Sequence, residues 1–181
     1  MRQEAVRSKY NIIIATIELL KTKPYDKISI KEICENAQVS RQTFYAHYTS
    51  KDDVFRNFYI EMFNDLCLSK ISNISYFYSD EFVISIINFY DQWSELFIVL
   101  NRWNLLSILT KDSINIINDL ILEICDVPYI NDYPSYFLSF IYEPLTSVCL
   151  KWVLNNKKES KEELFNIISY YRKINSYFLS I

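Results

Sequence analysis

Apolar residues recur every three or four positions along most of the chain, and this spacing is typical of the buried face of an α-helix. The first such series consists of Tyr10, Ile13, Ile14, Ile17 and Leu20. We expect the first helix to stop before Pro24, because the residue ahead of a proline disfavours the helical backbone. Alternating strand patterns are scarce. The pattern therefore predicts an all-α protein with about nine helices.

Beyond Ser69 the same periodicity predicts helices over roughly 80–90, 93–109, 112–126, 134–155 and 160–178. Pro144 lies within the fourth of these segments. We expect a kink there, because proline lacks a backbone donor and collides with the preceding turn.

The segment from Ser29 to Tyr48 predicts two short helices joined by a tight turn. Ser29 and Glu32 fit a capping box, in which a hydroxyl and a carboxylate each satisfy a backbone N–H at the helix start. Ser40 is a suitable N-cap for the second helix, which we expect at about 41–47. Because this arrangement is that of a helix-turn-helix motif, the second helix is a candidate for reading DNA.

The second helix carries many hydrogen-bonding side chains, since only Phe44 and Tyr48 are expected on its packed face. Arg41, Gln42 and Thr43 are the predicted base contacts, because these residue types match base edges in the major groove. The predicted contacts to the DNA backbone are Ser29, Lys31, Tyr45, His47 and Lys51. An ordinary solvated helical face is the alternative reading of these polar residues.

A second capping-box pattern, Ser50 with Asp53, predicts a long fourth helix. Its apolar stripe runs through Phe58, Met62 and Leu66. Stripes with this spacing usually pack in a core. Because this long helix directly follows the motif, we expect it to link the two domains.

Charge is divided unevenly along the chain of 181 residues. Half of the residues are apolar, which is enough for a sizeable core. Residues 1–56 carry ten basic and seven acidic residues, and residues 57–181 carry nine and fifteen, so the two parts have net charges of +3 and −6. This asymmetry is expected when one domain meets phosphates and the other does not.

Residues from about Tyr10 to Phe55 resemble the N-terminal domain of the TetR/AcrR family of bacterial transcriptional regulators. The matching motifs are Pro24-Tyr25-Asp-Lys-Ile28-Ser29-Ile30, Ala37-Gln-Val39-Ser40, Thr43-Phe44-Tyr45-Ala-His47-Tyr48 and Ser50-Lys51-Asp-Asp-Val54. Gln38 stands where the family usually has glycine. If the backbone there is left-handed, a side chain with a Cβ costs roughly 1 kcal/mol.

This resemblance implies a three-helix helix-turn-helix DNA-binding domain at residues 1–49 and a helical effector-binding and dimerisation domain at 50–181. It implies a dimeric repressor that binds a palindromic operator and is released by an unidentified small-molecule effector. By the same resemblance, Lys51 holds a phosphate, the fourth helix acts as a lever, and the start of the chain, with Arg2, Arg7 and Lys9, approaches the DNA backbone.

The resemblance also suggests two sets of aromatic and apolar residues in the second domain. The effector-pocket candidates are Phe89, Trp93, Phe97 and Trp103, with Tyr90 beside them. The dimer-interface candidates are Trp152, Phe165, Ile168 and Tyr171. Packing within the protomer's own core is the alternative for every one of them.

Other classes of protein are disfavoured by the same sequence. The four cysteines, Cys34, Cys67, Cys125 and Cys149, lack zinc or redox spacing and are expected to be buried thiols, so no metal or cofactor is predicted. The chain has one histidine, on the candidate reading helix, and an enzyme is not expected. The N-terminus lacks the apolar core of a signal peptide, which predicts a cytoplasmic protein without a membrane span. A protein-interaction module of the same fold, or a regulator that responds to no effector, is the alternative function.

Overall fold

The computed structural model describes residues 2–66, 74–109 and 134–179, and within these ranges every regular element is helical. The α-helices are α1 (Arg2–Thr22), α2 (Ile30–Ala37), α3 (Arg41–His47), α4 (Lys51–Leu66), α5 (Asp80–Gln92), α6 (Ser94–Arg102), α7 (Pro134–Leu154) and α8 (Lys161–Leu179). Short 3-10 helices lie at Tyr25–Lys27 and Ile74–Tyr78. The predicted all-α class is confirmed, and the helix predicted at 112–126 lies outside the described residues.

Three helices end at a left-handed residue that is not glycine. These residues are Gln38, Asn104 and Asn156, with φ angles of 56°, 57° and 60°. Around Gln38, the N–H of Val39 donates to Cys34 O at 3.0 Å and that of Gln38 to Glu35 O at 3.3 Å. This is a Schellman motif, which satisfies carbonyls left free at a helix end. Because the chain contains no glycine, other residues carry the strain of these turns.

The end of α6 corrects one sequence-based boundary. The periodicity predicted a helix over 93–109, but the α-helix Ser94–Arg102 stops earlier. Leu105 N–H donates to Leu100 O at 2.8 Å and Asn104 N–H to Asn101 O at 3.0 Å. Asn104 makes this turn, because asparagine tolerates the left-handed backbone that ends the helix. The spacing of apolar residues carries no signal for such a turn.

The described chain divides into two compact units, the first formed by the described parts of residues 1–62 and 98–113. In this unit α1 packs against α2 and α3. Ile13, Ile17 and Leu20 of the predicted stripe are buried, whereas Tyr10 is half exposed. The predicted boundary between residues 49 and 50 stays a prediction.

The C-terminal end of α1 is capped by a distant part of the same unit. The indole N–H of Trp103 donates to Leu20 O at 2.8 Å, and the Arg102 guanidinium donates to Lys21 O at 3.2 Å. Both carbonyls belong to the last turn of α1, where no intrahelical donor remains. These contacts therefore stabilise the end of the helix that lies behind the motif.

The second unit comprises the described parts of residues 63–97 and 114–181. In it α5 packs against α7, α8 and the 3-10 helix Ile74–Tyr78. Phe89 lies at its aromatic core, in edge contact with Phe63 and Phe97. Pro144 lies inside α7, which continues on both sides of it, and the kink expected there stays a prediction.

None of the described helices is by itself long and apolar enough to span a membrane. Taken together, α5 and α6 are long and apolar enough for a membrane span, but they are bent by 62° at the break between them. Most of the apolar side chains of α5 are buried inside the protein.

Candidate nucleic-acid interface

The first helix of the motif starts with the predicted capping box. Ser29 Oγ accepts from Glu32 N–H at 3.2 Å, and Glu32 Oε2 accepts from Ser29 N–H at 2.9 Å. Lys23 pairs with the same carboxylate, and these contacts lower the pKa of Glu32 to about 2. The capping box is confirmed, and Glu32 remains a charged acceptor throughout the physiological range.

The second helix begins at Ser40, as predicted. Ser40 Oγ accepts from the backbone N–H of Thr43 at 2.9 Å, and the two hydroxyl oxygens also lie 2.9 Å apart. The Thr43 side chain is therefore tied to the N-cap and is half-buried. A fixed N-cap sets where α3 begins and hence which side chains its first turn presents.

The faces of α3 separate packing residues from exposed ones. Phe44 is 0 % and Tyr48 2 % exposed, which confirms the packed face. Arg41 and Gln42 are exposed, as is Tyr45 at 58 %. We call Arg41, Gln42 and Tyr45 the reading surface. In the described part of the chain neither the guanidinium of Arg41 nor the amide of Gln42 has a hydrogen-bonding partner, so both can bind a ligand.

His47 is bound to α1. Its Nε2 lies 2.7 Å from Ser8 Oγ, which also donates to Ala5 O at 2.9 Å. Because the hydroxyl has one proton and gives it to Ala5, His47 is the donor in the other bond. Burial and the nearby Lys9 ammonium lower the pKa of His47 below its usual range, opposed by Glu61. His47 thus joins the end of α3 to α1.

The remaining predicted contacts with the DNA backbone lie in different surroundings. Ser29 and Lys31 are exposed, and Lys31 makes a loose ion pair with Glu35 at 3.7 Å. An exposed pair of this kind is worth little and is easily exchanged for a phosphate. Lys51 instead donates to two backbone carbonyls, those of Tyr25 at 2.9 Å and Ile28 at 2.6 Å.

The second capping-box pattern forms only in part. Asp53 N–H donates to Ser50 Oγ at 3.2 Å, but the Asp53 carboxylate accepts from Thr49, through the backbone N–H and the hydroxyl, each at 2.8 Å. The carboxylate thus bonds one residue earlier than the motif predicts. The start of α4 is nevertheless anchored on the residues that follow α3.

The effector-pocket candidates are placed in two groups. Phe89, Trp93 and Phe97 are buried in the second unit, where Tyr90 and Phe97 stack with ring centroids 4.4 Å apart. Trp103 belongs to the first unit and caps α1.

A groove of about 260 Å³ lies elsewhere in the second unit, between α5 and α8. Its lining residues are Ile84, Ile87, Asn88, Lys161, Glu162 and Phe165.

The dimer-interface candidates differ in accessibility. Trp152 is 4 % and Ile168 7 % exposed, and the indole N–H of Trp152 donates to Glu159 O at 2.8 Å. Phe165 is half-buried and Tyr171 is exposed. The helices α7 and α8 also carry exposed apolar residues that were not among these candidates. They are Tyr136, Phe140 and Val148 on α7, and Ile167 and Tyr170 on α8. Only packing distinguishes these residues from the buried ones.

Two cysteines lie in the described ranges, and both are buried free thiols, as predicted. They are Cys34 and Cys149, and burial raises the pKa of the Cys149 thiol to about 12. Cys67 and Cys125 fall outside the described residues. The parts of the chain that the structure describes contain no group of three or more residues suited to hold a metal ion.

Comparison with known proteins identifies a family model that matches the N-terminal part of the chain. Residues 12–58 match the family model described as "Bacterial regulatory proteins, tetR family". The matched range extends from α1, through the capped helices α2 and α3, into α4. No curated protein matches the chain.

Proposed function

We propose that this protein is a repressor. The premise is its TetR-family helix-turn-helix DNA-binding domain at residues 12–58, which implies a transcriptional regulator. In this proposal a dimer binds a palindromic operator in the cytoplasm and is released by a small-molecule effector. The family is non-enzymatic. The observation that carries the proposal is the reading surface, whose Arg41 and Gln42 are exposed side by side at the capped start of α3.

Base recognition is assigned to the first turn of α3. Arg41 can donate two hydrogen bonds to a guanine and Gln42 can bond both ways with an adenine. The Thr43 hydroxyl is already bound to Ser40, so we assign its methyl group to contact a thymine methyl. These three residues would carry sequence preference.

Phosphate contacts are assigned to residues around that turn. Ser29 and Lys31 are exposed at the start of α2, and the Tyr45 hydroxyl is carried on an exposed ring. Nε2 of His47 is already bound to Ser8, so a phosphate contact would need a proton on the other ring nitrogen, and the lowered pKa of His47 confines that contact to acidic pH. Such contacts fix the register of the protein on the duplex without reading its sequence.

Dimerisation is assigned to the exposed apolar residues of α7 and α8. Tyr136 and Phe140 lie four positions apart on α7 and so share one face, and Val148 is exposed about two turns further along. Phe140 is 80 % exposed. Contiguous exposed apolar surface usually marks a partner site. A two-fold dimer would present two copies of α3 to two operator half-sites.

Effector release requires a ligand that prefers the conformation unable to bind DNA, because equal affinity for both conformations shifts nothing. The proposal for an effector follows from the family resemblance. In the second unit Phe89, Tyr90 and Phe97 pack against one another. This packing favours, as the second candidate, a regulator without an effector. An effector that bound at these residues would have to displace their aromatic side chains.

The test is selection of duplexes from a random library by the purified chain, followed by titration of the selected and a scrambled duplex across a salt series. We expect a palindrome, bound by two protomers with at least about a thousandfold preference over scrambled DNA. A control variant, Lys158→Ala, removes one exposed charge from the second unit and should select the same sequence. Absence of enrichment with wild-type protein would overturn the proposal and favour a protein-interaction module.

The dimer is tested separately by sedimentation with Phe140→Asp. We expect the dimer dissociation constant to rise about a hundredfold, because buried aromatic anchors dominate interface energies. The matched control is Tyr78→Asp, since Tyr78 is also an exposed aromatic residue of the second unit. Equal effects of the two substitutions would remove the assignment to α7.

A further inference from the structure

Lys51, the first residue of α4, has its ammonium group inside the DNA-binding unit. Nζ donates to Tyr25 O at 2.9 Å and to Ile28 O at 2.6 Å, and it lies 4.3 Å from the centroid of the Tyr25 ring. An ammonium has three protons to donate. Two of them therefore go to carbonyls at either end of the short 3-10 helix Tyr25–Lys27.

Tyr25 is attached to the same turn of α4 through its side chain. Its hydroxyl donates to the Asp52 carboxylate, and its ring lies 6.0 Å from that of the fully buried Phe55. Burial, together with Asp52, raises the pKa of Tyr25. The phenol thus stays protonated and continues to donate to Asp52.

The segment held by these contacts leads directly into α2. Ile28 is buried and precedes Ser29, the N-cap of α2. Ser29 and Lys31 are two of the proposed phosphate contacts. The position of both is therefore set by a segment whose carbonyls are fixed by Lys51.

We propose that Lys51 is a positioning residue that fixes the start of α2 through Tyr25 and Ile28, and that it is not a phosphate ligand. The part of this inference that concerns DNA rests on the proposed function. A phosphate would have to displace one of the two carbonyls or use the third proton alone. Loss of Lys51 should then weaken DNA binding without removing a phosphate contact.

The experiment compares two lysine-to-methionine substitutions in the full chain. Lys51→Met and Lys31→Met remove the same charge and keep an unbranched side chain, but Lys31 is exposed and Lys51 is bonded within the protein. We measure affinity for the selected duplex as a function of salt. Each lost phosphate contact reduces the slope of log K against log salt by about 0.9.

For Lys51→Met we expect affinity to fall about tenfold, the effect of one or two lost hydrogen bonds, with the slope of the wild-type protein. For Lys31→Met we expect the slope to fall by about 0.9. If adding Lys51→Met to Lys31→Met reduces the slope by a further amount of about 0.9, Lys51 is itself a phosphate ligand and the inference is overturned, because the contact of Lys31 is already absent in that background. Unchanged affinity in Lys51→Met would overturn it as well.

A second measurement does not depend on DNA. Hydrogen exchange of residues 25–32, followed by mass spectrometry, should be about tenfold faster in Lys51→Met than in wild-type protein. Lys31→Met should exchange as wild type after correction for its own intrinsic rate. If wild-type protein selects no DNA, the proposed function fails, but exchange still decides whether Lys51 holds this segment. Unchanged exchange in Lys51→Met would overturn the inference.

Tyr25→Leu provides a check that changes no charge. It removes the ring below the ammonium and the bond to Asp52, so we expect it to weaken DNA binding at an unchanged salt slope. Its effect and that of Lys51→Met should be less than additive, because both act on one segment. Full additivity would overturn the inference, and Tyr25→Phe, which keeps the ring, replaces Tyr25→Leu if the latter does not fold.

Discussion

Ser8 Oγ and His47 Nε2 lie 2.7 Å apart, which joins α1 to the last residue of the reading helix. The next residue on α1, Lys9, pairs with Glu61 of α4. Two consecutive residues of α1 thus contact the two helices that follow the turn of the motif. The orientation of α3 within this unit therefore depends on α1 as well as on the turn itself.

Removing this hydroxyl should loosen α3. Ser8→Ala leaves the His47 donor without its partner, and we expect the free energy of unfolding to fall by about 1 kcal/mol. Operator affinity should fall with it. The measurements are denaturant unfolding and DNA titration, and Ser8→Thr, which keeps the hydroxyl, is the matched control. Identical behaviour of the alanine and threonine variants would contradict a role for the hydrogen bond.

Acidification should reduce stability through His47, the only histidine in the chain. Its pKa is below 6.5 in the folded protein because of burial and Lys9, so the unfolded chain takes up a proton first as the pH falls. The stabilising contribution is present above pH 6.5 and is lost as the pH falls through the lower, folded pKa. Unfolding measured at intervals from pH 7.5 to 5 should show this decrease.

The control for this pH dependence is His47→Gln, which has no titrating ring and should give a flatter profile between the same limits. The carboxylates whose pKa values are lowered, including Glu32 at about 2, titrate below this window. A decrease of the same size in His47→Gln would assign the effect to other groups.

Gln38→Gly should stabilise the protein. Gln38 has φ 56° and ψ 43°, a conformation in which a Cβ is crowded and glycine is not. We expect a gain of up to about 0.5 kcal/mol, because the relief of roughly 1 kcal/mol of crowding is partly offset by the greater freedom of glycine in the unfolded chain. Thermal unfolding measures it, with Gln38→Asn as an intermediate control. A lower melting temperature for the glycine variant would contradict the strain argument.

Arg41→Ala should relax the sequence preference of DNA binding. The bidentate contact of an arginine with guanine is worth about 1 to 3 kcal/mol of discrimination, so the selected and scrambled duplexes should become more alike in affinity. Lys31→Ala should instead weaken binding to both duplexes to a similar extent. The comparison is made by titration of both duplexes at one salt concentration. Parallel losses on the two duplexes for Arg41→Ala would assign this arginine to the DNA backbone.

Much of the DNA-binding unit was predictable because its signals are local. The capping box of Ser29 and Glu32, the N-cap Ser40 and the left-handed Gln38 each depend on groups within a few residues along the chain. The four-residue spacing of Phe44 and Tyr48 likewise predicted which side of α3 is buried. The family of the DNA-binding domain followed from the same residues, since they lie in the range 12–58 that the family model matches.

Other features depended on packing between distant segments. His47 bonds to a residue 39 positions away, Lys51 to one 26 away and Trp103 to one 83 away. No sequence spacing specifies such partners, because they are chosen by how helices pack. For this reason the sequence could not indicate that Lys51 donates to Tyr25 and Ile28, or that Trp103 donates to Leu20.

The sequence by itself determined the helices α1 to α3, the caps at Ser29 and Ser40 and the identity of the DNA-binding domain, because hydrogen bonds within one helical turn and apolar periodicity are set by neighbouring residues. Only the tertiary structure decided which apolar residues of α7 and α8 are buried. Trp152 and Ile168 lie inside the protomer while Phe140 and Tyr170 remain exposed, although all four are large apolar or aromatic residues of α7 and α8. Burial depends on which face meets another helix, and that choice is made by the packing of the whole unit.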